Sequence, residues 1–240
     1  MSRLCLWLVG LWLPLAAGAD PIHLVYFRMP PIADETVDGK AFGPAVSLVE
    51  ELTRGLDVDS EPRRLPLKRL ELMAATEKVI VIGIARNPAR EKLGLVWITE
   101  LFRDNLHFVT LAGHPAVTVL DDARQFRNIA CNLGGAPAQW LLDRGFTNVD
   151  SATDVRSEAA KLHAGHADAW FGIKLFIDYT WRGQGYDPAD LHWSPPMETQ
   201  PIWVAASPAV EPAVVETMRR RYADLRKEGR LDPMLARLIQ

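Results

Sequence analysis

The sequence predicts an α/β fold built as two lobes. Short apolar runs rich in β-branched and aromatic residues alternate with segments whose apolar residues recur every three or four positions, as in strands and amphipathic helices. The alternation is broken at 112–115 (AGHP), after which a second set of strands and helices begins. The 240 residues, 48% of them hydrophobic and 24% charged, suffice for one or two packed units and exclude a disordered or coiled-coil chain.

The first set contains three predicted strands and two predicted helices. The strands are 22–27 (IHLVYF), 79–84 (VIVIGI) and 106–111 (LHFVTL). The helices are expected at 45–52 and 67–75, where apolar residues fall on one helical face. Because the middle strand is apolar throughout, we expect it to be buried on both faces and parallel to its neighbours.

The second set contains three predicted strands and three predicted helices. Its predicted strands are 128–131, 146–149 and 168–171, and its predicted helices are 136–143, 154–164 and 174–182. A strand at 202–207, a helix that starts at Glu211 and ends before Gly229, and a last short helix that starts at Asp232 and Pro233 complete the chain. Short connections between such elements predict right-handed α/β units.

The amino-terminal segment is typical of a secretory signal peptide. Arg3 is the only charged residue before Asp20, residues 4–17 carry no charge, and the small residues 17–19 (AGA) follow. The run is short for a membrane span, which needs about 20 apolar residues. We therefore expect cleavage after Ala19 and export to the periplasm. Removal of Arg3 leaves 26 basic residues against 30 acidic ones, a net charge of −4.

Charge and cysteine content exclude several classes of protein. A net charge of −3 and a pI near 6.1 provide no basic surface for nucleic acid or anionic lipid. With Cys5 in the signal peptide, Cys131 stands alone, which excludes an intramolecular disulfide. His163 and His166 lack further ligands at metal-binding spacing, and we expect no metal and no cofactor.

The segment 82–95 (IGIARNPAREKLGL) resembles a signature of the amino-acid-type (family 3) extracytoplasmic solute-binding proteins, in which a buried strand leads into a turn and an arginine-bearing helix. Together with the order of elements, this resemblance covers residues 20–240. It implies a type II periplasmic-binding-protein fold, two α/β lobes joined by crossover strands near 107–112 and 201–207. The first lobe would comprise 20–107 plus 206–240, and the second 112–202.

The resemblance also implies a ligand site between the lobes. Arg90 matches the family arginine that pairs with a ligand carboxylate, and Arg86, four residues earlier, is expected on the same helical face. Gly134, Gly135 and Ala136 follow a predicted strand and open a helix, where free N–H groups favour an anion. An ordinary strand-to-helix turn is the alternative interpretation of these glycines.

Further residues are expected to contact the rest of the ligand. Three aromatic residues stand at or near predicted strand ends: Phe27, Trp97 and Trp170. Stacking on a ligand is one interpretation of each, and packing in the core is the other. Lys68 and Arg69 stand at the start of a predicted helix. One of the two charges points into the cleft, or both lie on the solvated face of the helix.

Several positions depart from the family pattern and change the expected ligand. Met29 and Ile32 replace aromatic residues, and Ala85 and Ala136 replace hydroxyl-bearing ones. Ile173 stands where the family has the aspartate that meets the ligand's ammonium group. An ammonium group needs an anion when buried. We therefore expect a carboxylate or another anion without an α-ammonium group, or a degenerate pocket.

The resulting hypothesis is a monomeric, non-catalytic periplasmic receptor. The resemblance implies delivery of a small solute, an amino acid or organic acid, to an inner-membrane ABC permease. The alternatives are an enzyme on the same fold, similar to the cyclohexadienyl dehydratases, and a sensory or accessory binding protein. The enzyme requires a general acid or base in the cleft, and no Glu, Asp or His is clearly placed there by the sequence.

Overall fold

A computed structural model describes residues 20–231 and residue 234 of the chain. The predicted signal peptide, 1–19, and most of the end of the predicted first lobe, after residue 231, lie outside the described residues. Among the residues that are described, no helix is both long enough and apolar enough to cross a membrane.

The described chain alternates strands and helices as the sequence predicts. The strands are β1 (Ile22–Tyr26), β2 (Asp34–Glu35), β3 (Ala41–Phe42), β4 (Val58–Arg64), β5 (Val79–Ala85), β6 (Val96–Leu111), β7 (Ile129–Asn132), β8 (Val149–Ala152), β9 (Ala169–Ile173), β10 (Leu191–Trp193) and β11 (Glu198–Ala206). The helices are α1 (Pro44–Thr53), α2 (Leu67–Thr76), α3 (Pro88–Glu91), α4 (Ala136–Asp143), α5 (Val155–His163), α6 (Lys174–Gly183) and α7 (Pro212–Lys227). Short 3₁₀ turns lie at Leu120–Gln125 and Pro188–Asp190.

The first lobe is built around β5. This strand pairs in parallel with β1, which pairs in parallel with β4, and it pairs antiparallel with β11 on its other side. Every residue of β5 is buried, because helices cover both faces of the sheet. Ile80 and Ile82 belong to the hydrophobic cluster that includes α1, whereas Val79 and Val81 pack in the cluster of Leu70 on α2.

The second lobe repeats this arrangement around β7. The strand pairs in parallel with β8 and β9, and β9 continues antiparallel onto β6. The short strand β10 also pairs with β6. Trp170 and Trp181 are fully buried in the cluster between this sheet and helices α5 and α6.

Two strands, β6 and β11, pass between the lobes, which confirms the predicted fold class. The 16-residue β6 pairs with β11 up to Leu106 and with β9 from Leu106 onward. The predicted crossing at 107–112 therefore lies among second-lobe partners, and the change of partner comes slightly earlier. The other strand, β11, pairs with first-lobe β5 from Ile202 to Ala206. The lobe boundaries given above stay predictions.

The sequence missed four strands, among them the two-residue β2 and β3, and displaced a fifth. It gave no signal for β4, whose residues (VDSEPRR) are polar because this strand lies at the edge of the sheet. It also missed the three-residue β10. The strand predicted at 146–149 lies instead at β8, because Phe146 is a buried loop residue that packs against Phe108.

Candidate functional site

A cavity lies between the lobes and is walled by both. Counting its open mouth it contains about 620 Å³. The first lobe contributes Phe27, Arg28, Met29, Leu67, Ala85 and Arg90. The second contributes, among others, Asn132, Gly135, Ala136, Glu158, Trp170 and Ile173. Most of these side chains are apolar, and each lobe adds one deeply buried charged group, Arg90 or Glu158.

Arg90 is held in the first-lobe wall by α3. This short helix begins after Asn87, whose side chain accepts a hydrogen bond from the Arg90 amide at 2.9 Å. The Arg90 side chain is 3% exposed. Its Nη1 donates to the carbonyl oxygen of Ala85 at 2.9 Å, and its Nε donates to Oε1 of Glu71 at 3.1 Å. Burial lowers the pKa of Arg90, and the carboxylate of Glu71 opposes that shift.

Glu71 extends this contact toward the second lobe. Its second oxygen accepts a hydrogen bond from Nζ of Lys68 at 3.0 Å, one turn earlier on α2. The alkyl stem of Lys68 lies against Gly134 of the second lobe, where an added Cβ would stand 2.7 Å from the Lys68 Cε. Lys68, not the neighbouring Arg69, therefore reaches across the cleft. Arg69 is exposed on α2 and does not line the cavity.

Arg86 does not share the cavity with Arg90. The predicted common helical face fails because α3 begins at Pro88, so Arg86 precedes the helix. Its Nε donates to Glu91 at 2.5 Å, and its guanidinium lies 5.2 Å from the ring centroids of both Trp97 and Trp203. Trp97 belongs to this outer cluster, with its indole N–H on Glu91 at 3.1 Å, and it does not line the cavity either.

The turn at Gly134 and Gly135 forms part of the cavity wall, but it offers fewer free backbone N–H donors than the sequence predicts. Gly134 has φ +70°, a conformation that favours glycine, and Gly135 caps α4. The Gly135 amide donates internally to the carbonyl of Asn132 at 2.9 Å, and Pro137 has no N–H. Gly135 and Ala136 line the cavity, whereas Gly134 lies under Lys68. The Gly135 amide is therefore not free to bind an anion, contrary to the expectation from the sequence.

Two of the three predicted aromatic residues line the cavity. Phe27 follows β1 and forms part of the wall, half-buried. Trp170 of β9 is 1% exposed and also faces the cavity. Four of the residues that depart from the family pattern are wall residues as well: Met29, Ala85, Ala136 and Ile173. The wall therefore offers methyl and methylene groups at those places.

Glu158 is the cavity residue that the sequence reasoning missed. It stands in the first turn of α5, which Asp154 caps through hydrogen bonds from the amides of Arg156 and Ser157. The Glu158 side chain is 3% exposed, and its Oε2 accepts a hydrogen bond from the indole N–H of Trp170 at 2.6 Å. Its Oε1 is buried without a hydrogen-bond partner among the described residues.

The position of Glu158 had a sequence signal. Val155, Ala159 and Leu162 form an apolar stripe at i, i+4 and i+7, and Glu158 occupies i+3 of the same stripe. A charged residue inside a buried stripe is rare unless it has a partner or a function. Burial raises the pKa of Glu158 to about 8, while hydrogen bonding from Trp170 and the side chain of Asn132 act in the opposite direction.

His163, which lacks further ligands at metal-binding spacing in the sequence, packs against an aromatic ring. His163 stacks on Tyr186 with 3.9 Å between ring centroids. Across residues 20–231 and 234, no group of three or more His, Cys, Asp or Glu side chains is arranged to hold a metal ion.

Comparison with solved structures identifies the fold. A mutant of ArgBP from T. maritima matches with a TM-score of 0.78 and 17% identity, over 91% of this chain and 95% of that one. A histidine kinase sensor domain with similarity to periplasmic binding proteins matches with a TM-score of 0.79 and 16% identity, over 90% and 95%. A putative binding component of an ABC transporter from Wolinella succinogenes DSM 1740, complexed with lysine, matches with a TM-score of 0.74 and 17% identity, over 91% and 95%.

These likenesses confirm the two-lobed binding-protein fold predicted from the sequence. No protein-family model and no curated relative matches the chain.

Proposed function

We propose that this chain is an exported receptor that captures a small solute between its lobes and presents it to an inner-membrane ABC permease. The observation that carries the proposal is the cavity, whose walls come from both lobes. Because two crossover strands, β6 and β11, join the lobes, a hinge movement there would close them around a solute. Ligand sites favour such junctions.

Structures with the same fold support a solute with a carboxylate. One solved ArgBP structure is the arginine-bound form, and other neighbours hold lysine or histidine. In this chain the carboxylate would meet Arg90. Two of the guanidinium nitrogens are engaged by Ala85 and Glu71, and Nη2 makes no hydrogen bond to the described residues. The apolar walls, such as Met29 and Leu67, favour a solute whose body is apolar.

The export step rests on the segment before Asp20. A signal peptide cleaved after Ala19 would deliver the chain to the periplasm, where we propose that it is a monomer. The mass of the secreted protein and its elution on size-exclusion chromatography test both statements. Retention of residues 1–19 on the secreted chain would contradict the cleavage.

A sensory role is the second candidate, favoured by the match to a histidine kinase sensor domain. The cavity would then report solute binding to a signalling partner instead of a permease. Transport assays in a strain that lacks the chain separate the two roles, because a sensor alters transcription without carrying solute.

An enzymatic role is favoured by one observation, the buried carboxyl of Glu158 in the cavity wall. It supplies the acid that the sequence alone did not place. We propose that the chain is not an enzyme, because its fold neighbours are binding proteins and a sensor domain. Incubation with prephenate or arogenate, followed by absorbance, tests this, and turnover would contradict it.

A thermal-shift screen of the mature chain tests solute capture. Amino acids, organic acids and inorganic anions are added at millimolar concentration, and a binder raises Tm because it stabilises the folded state alone. Arg90→Ala should abolish the response to carboxylates, whereas Arg69→Ala, which removes an exposed charge outside the cavity, should preserve it. An unchanged Kd in the Arg90 variant would contradict the assignment of Arg90.

A further inference from the structure

Glu158 is the ionisable group of the cavity wall that has no charged partner among the described residues. No Lys, Arg or His nitrogen of the described chain lies within 4.0 Å of its carboxyl oxygens, although the side chain is 3% exposed. Lys161, one turn further along α5, pairs with Asp150 instead, at 2.5 Å. The Oε1 of Glu158 accepts no hydrogen bond of normal geometry from the described residues, although the side chain of Asn132 on β7 lies near enough to act on the carboxyl. A buried polar atom left in this state is costly and calls for an explanation.

The two arginine side chains of the same wall are already paired with carboxylates. Arg90 is paired with Glu71, and Arg28 donates from Nε to Oδ1 of Asp34 at 2.6 Å. Neither guanidinium therefore needs a ligand for charge balance. The unmatched requirement of the cavity is for a hydrogen-bond donor or a cation opposite Glu158.

We infer that Glu158 is a specificity residue whose Oε1 binds a protonated amine of the solute, so that the cavity selects apolar organic amines, with or without a carboxylate. This inference rests on the proposed capture of a solute between the lobes. Ile173, the position that the family resemblance assigns to the ammonium-binding acid, is apolar here. The acid is supplied from α5, a different element, and Trp170 fixes its other oxygen by a 2.6 Å hydrogen bond.

Amine binding is coupled to ionisation of Glu158. The free carboxyl, with its pKa near 8, is largely protonated at pH 7, and an adjacent ammonium stabilises the carboxylate. The groups that act on it are the capping residue Asp154, Lys161 on α5, and the Trp170 indole and the Asn132 side chain on the neighbouring strands. The Cys131 thiol also lies within its electrostatic influence. An amine that binds at pH 7 therefore releases a proton from Glu158.

The experiment uses matched probes that differ in one group. 2-Phenylethylamine, 3-phenylpropionate and L-phenylalanine share a phenylethyl body and carry an amine, a carboxylate or both. Isopentylamine, 4-methylpentanoate and L-leucine form the aliphatic equivalent. Binding of each to the mature chain is measured by isothermal titration calorimetry at pH 7 in buffers of different ionisation enthalpy, which gives Kd and the number of protons released.

The variants are Glu158→Gln and, as a control, Glu61→Gln, which neutralises an exposed first-lobe carboxyl. We expect an amine-bearing probe to bind with release of up to one proton. In the Glu158 variant its Kd should rise at least tenfold and the release should vanish, whereas the control should match the wild type. Glu158→Asp keeps the charge and should retain part of the proton release.

The outcomes separate this inference from the proposed function. Binding of the carboxylate-only probes alone, unaffected by Glu158→Gln, overturns the amine assignment and leaves solute capture standing. Amine binding without proton release, equal in wild type and variant, also overturns it. If none of the six probes binds at millimolar concentration while the thermal-shift screen finds another binder, the amine assignment falls and solute capture stands.

Discussion

Glu71 holds the guanidinium of Arg90, with Nε of Arg90 donating to Oε1 of Glu71 over 3.1 Å inside the cavity wall. The arginine that the sequence marks for a ligand carboxylate is thus already neutralised by a carboxylate of its own lobe. A solute must share this guanidinium or displace Glu71 from it. The strength of the internal pair therefore limits the affinity for carboxylates.

Neutralising Glu71 should strengthen carboxylate binding. In Glu71→Gln the guanidinium of Arg90 has no competing charge, so we expect the Kd of 3-phenylpropionate to fall about tenfold, a change of about 1.4 kcal/mol. The variant should also lose about 1–3 kcal/mol of stability, because a buried charge loses its partner. Calorimetry and urea unfolding measure the two effects.

Glu51→Gln is the matched control for that variant. Glu51 also pairs with arginines, Arg54 and Arg230, on the first lobe and away from the cavity. Its substitution should leave the Kd unchanged. Equal affinity in the wild type and the Glu71 variant would show that the internal pair does not compete with the solute.

The stability of the chain should depend on pH through Glu158. Its carboxyl has an ordinary pKa of 4.5, and burial raises the pKa to about 8 in the folded state. Between these values the folded chain binds more protons than the unfolded one, so the free energy of unfolding falls as pH rises, by roughly 1.4 kcal/mol for each unit. The contribution is fully present below pH 4.5 and lost above pH 8.

Glu158→Gln removes this dependence. We expect the variant to be about as stable as the wild type at pH 5 and more stable at pH 9, as measured by Tm in a pH series. Glu61→Gln should follow the wild-type profile. A constant Tm difference between wild type and the Glu158 variant across the series would exclude the raised pKa.

Gly134 and Gly165 form a matched pair for testing the contact across the cleft. Both have φ near +70°, so alanine at either position should cost about 1 kcal/mol. Space is open at Gly165, but at Gly134 the new Cβ would stand 2.7 Å from Cε of Lys68. Only Gly134→Ala should therefore displace Lys68 from Glu71 and change the Kd of a carboxylate probe.

A double-mutant cycle checks the origin of that effect. In a Lys68→Ala background, Gly134→Ala should no longer change the Kd, because the side chain that it displaces is absent. If the Kd changes equally in both backgrounds, the contact between Lys68 and Gly134 has no role in binding.

The thiol of Cys131 should report on unfolding. The residue is buried, and burial raises its pKa well above the ordinary value, which suppresses the reactive thiolate. We expect the mature native chain to react with Ellman's reagent at least a hundredfold more slowly than the urea-unfolded chain. Rapid labelling of the native chain, with far-ultraviolet circular dichroism unchanged, would contradict the burial.

Local patterns predicted most of the fold. The helix at 136–143 coincides with α4, and 67–75 differs from α2 by one residue, because their apolar periodicity faces a sheet in the same lobe. Strand β4 was missed because an edge strand with polar residues is held by backbone pairing to β1, which no side-chain pattern records.

The site was predicted less well than the fold. Five of the predicted site residues line the cavity, Arg90, Phe27, Trp170, Gly135 and Ala136, and their contact with a ligand stays a prediction. Arg86 and Trp97 lie in an outer cluster with Trp203 of β11, a residue more than a hundred positions away in sequence. Spacing along the chain could not show this, because the partner comes from a strand that returns from the other lobe.

The sequence by itself determined the alternation of strands and helices, the two-lobed α/β class and the arginine of the first-lobe wall. The first two depend on periodicity along the chain, and the arginine follows from the resemblance of residues 82–95 to a known signature. Only the tertiary structure decided which charges meet: Glu71 with Arg90, Lys68 against Gly134, and Glu158 beside Trp170 with one oxygen unpartnered. The reason is physical, since the ionisation and availability of a side chain depend on the groups that surround it after folding.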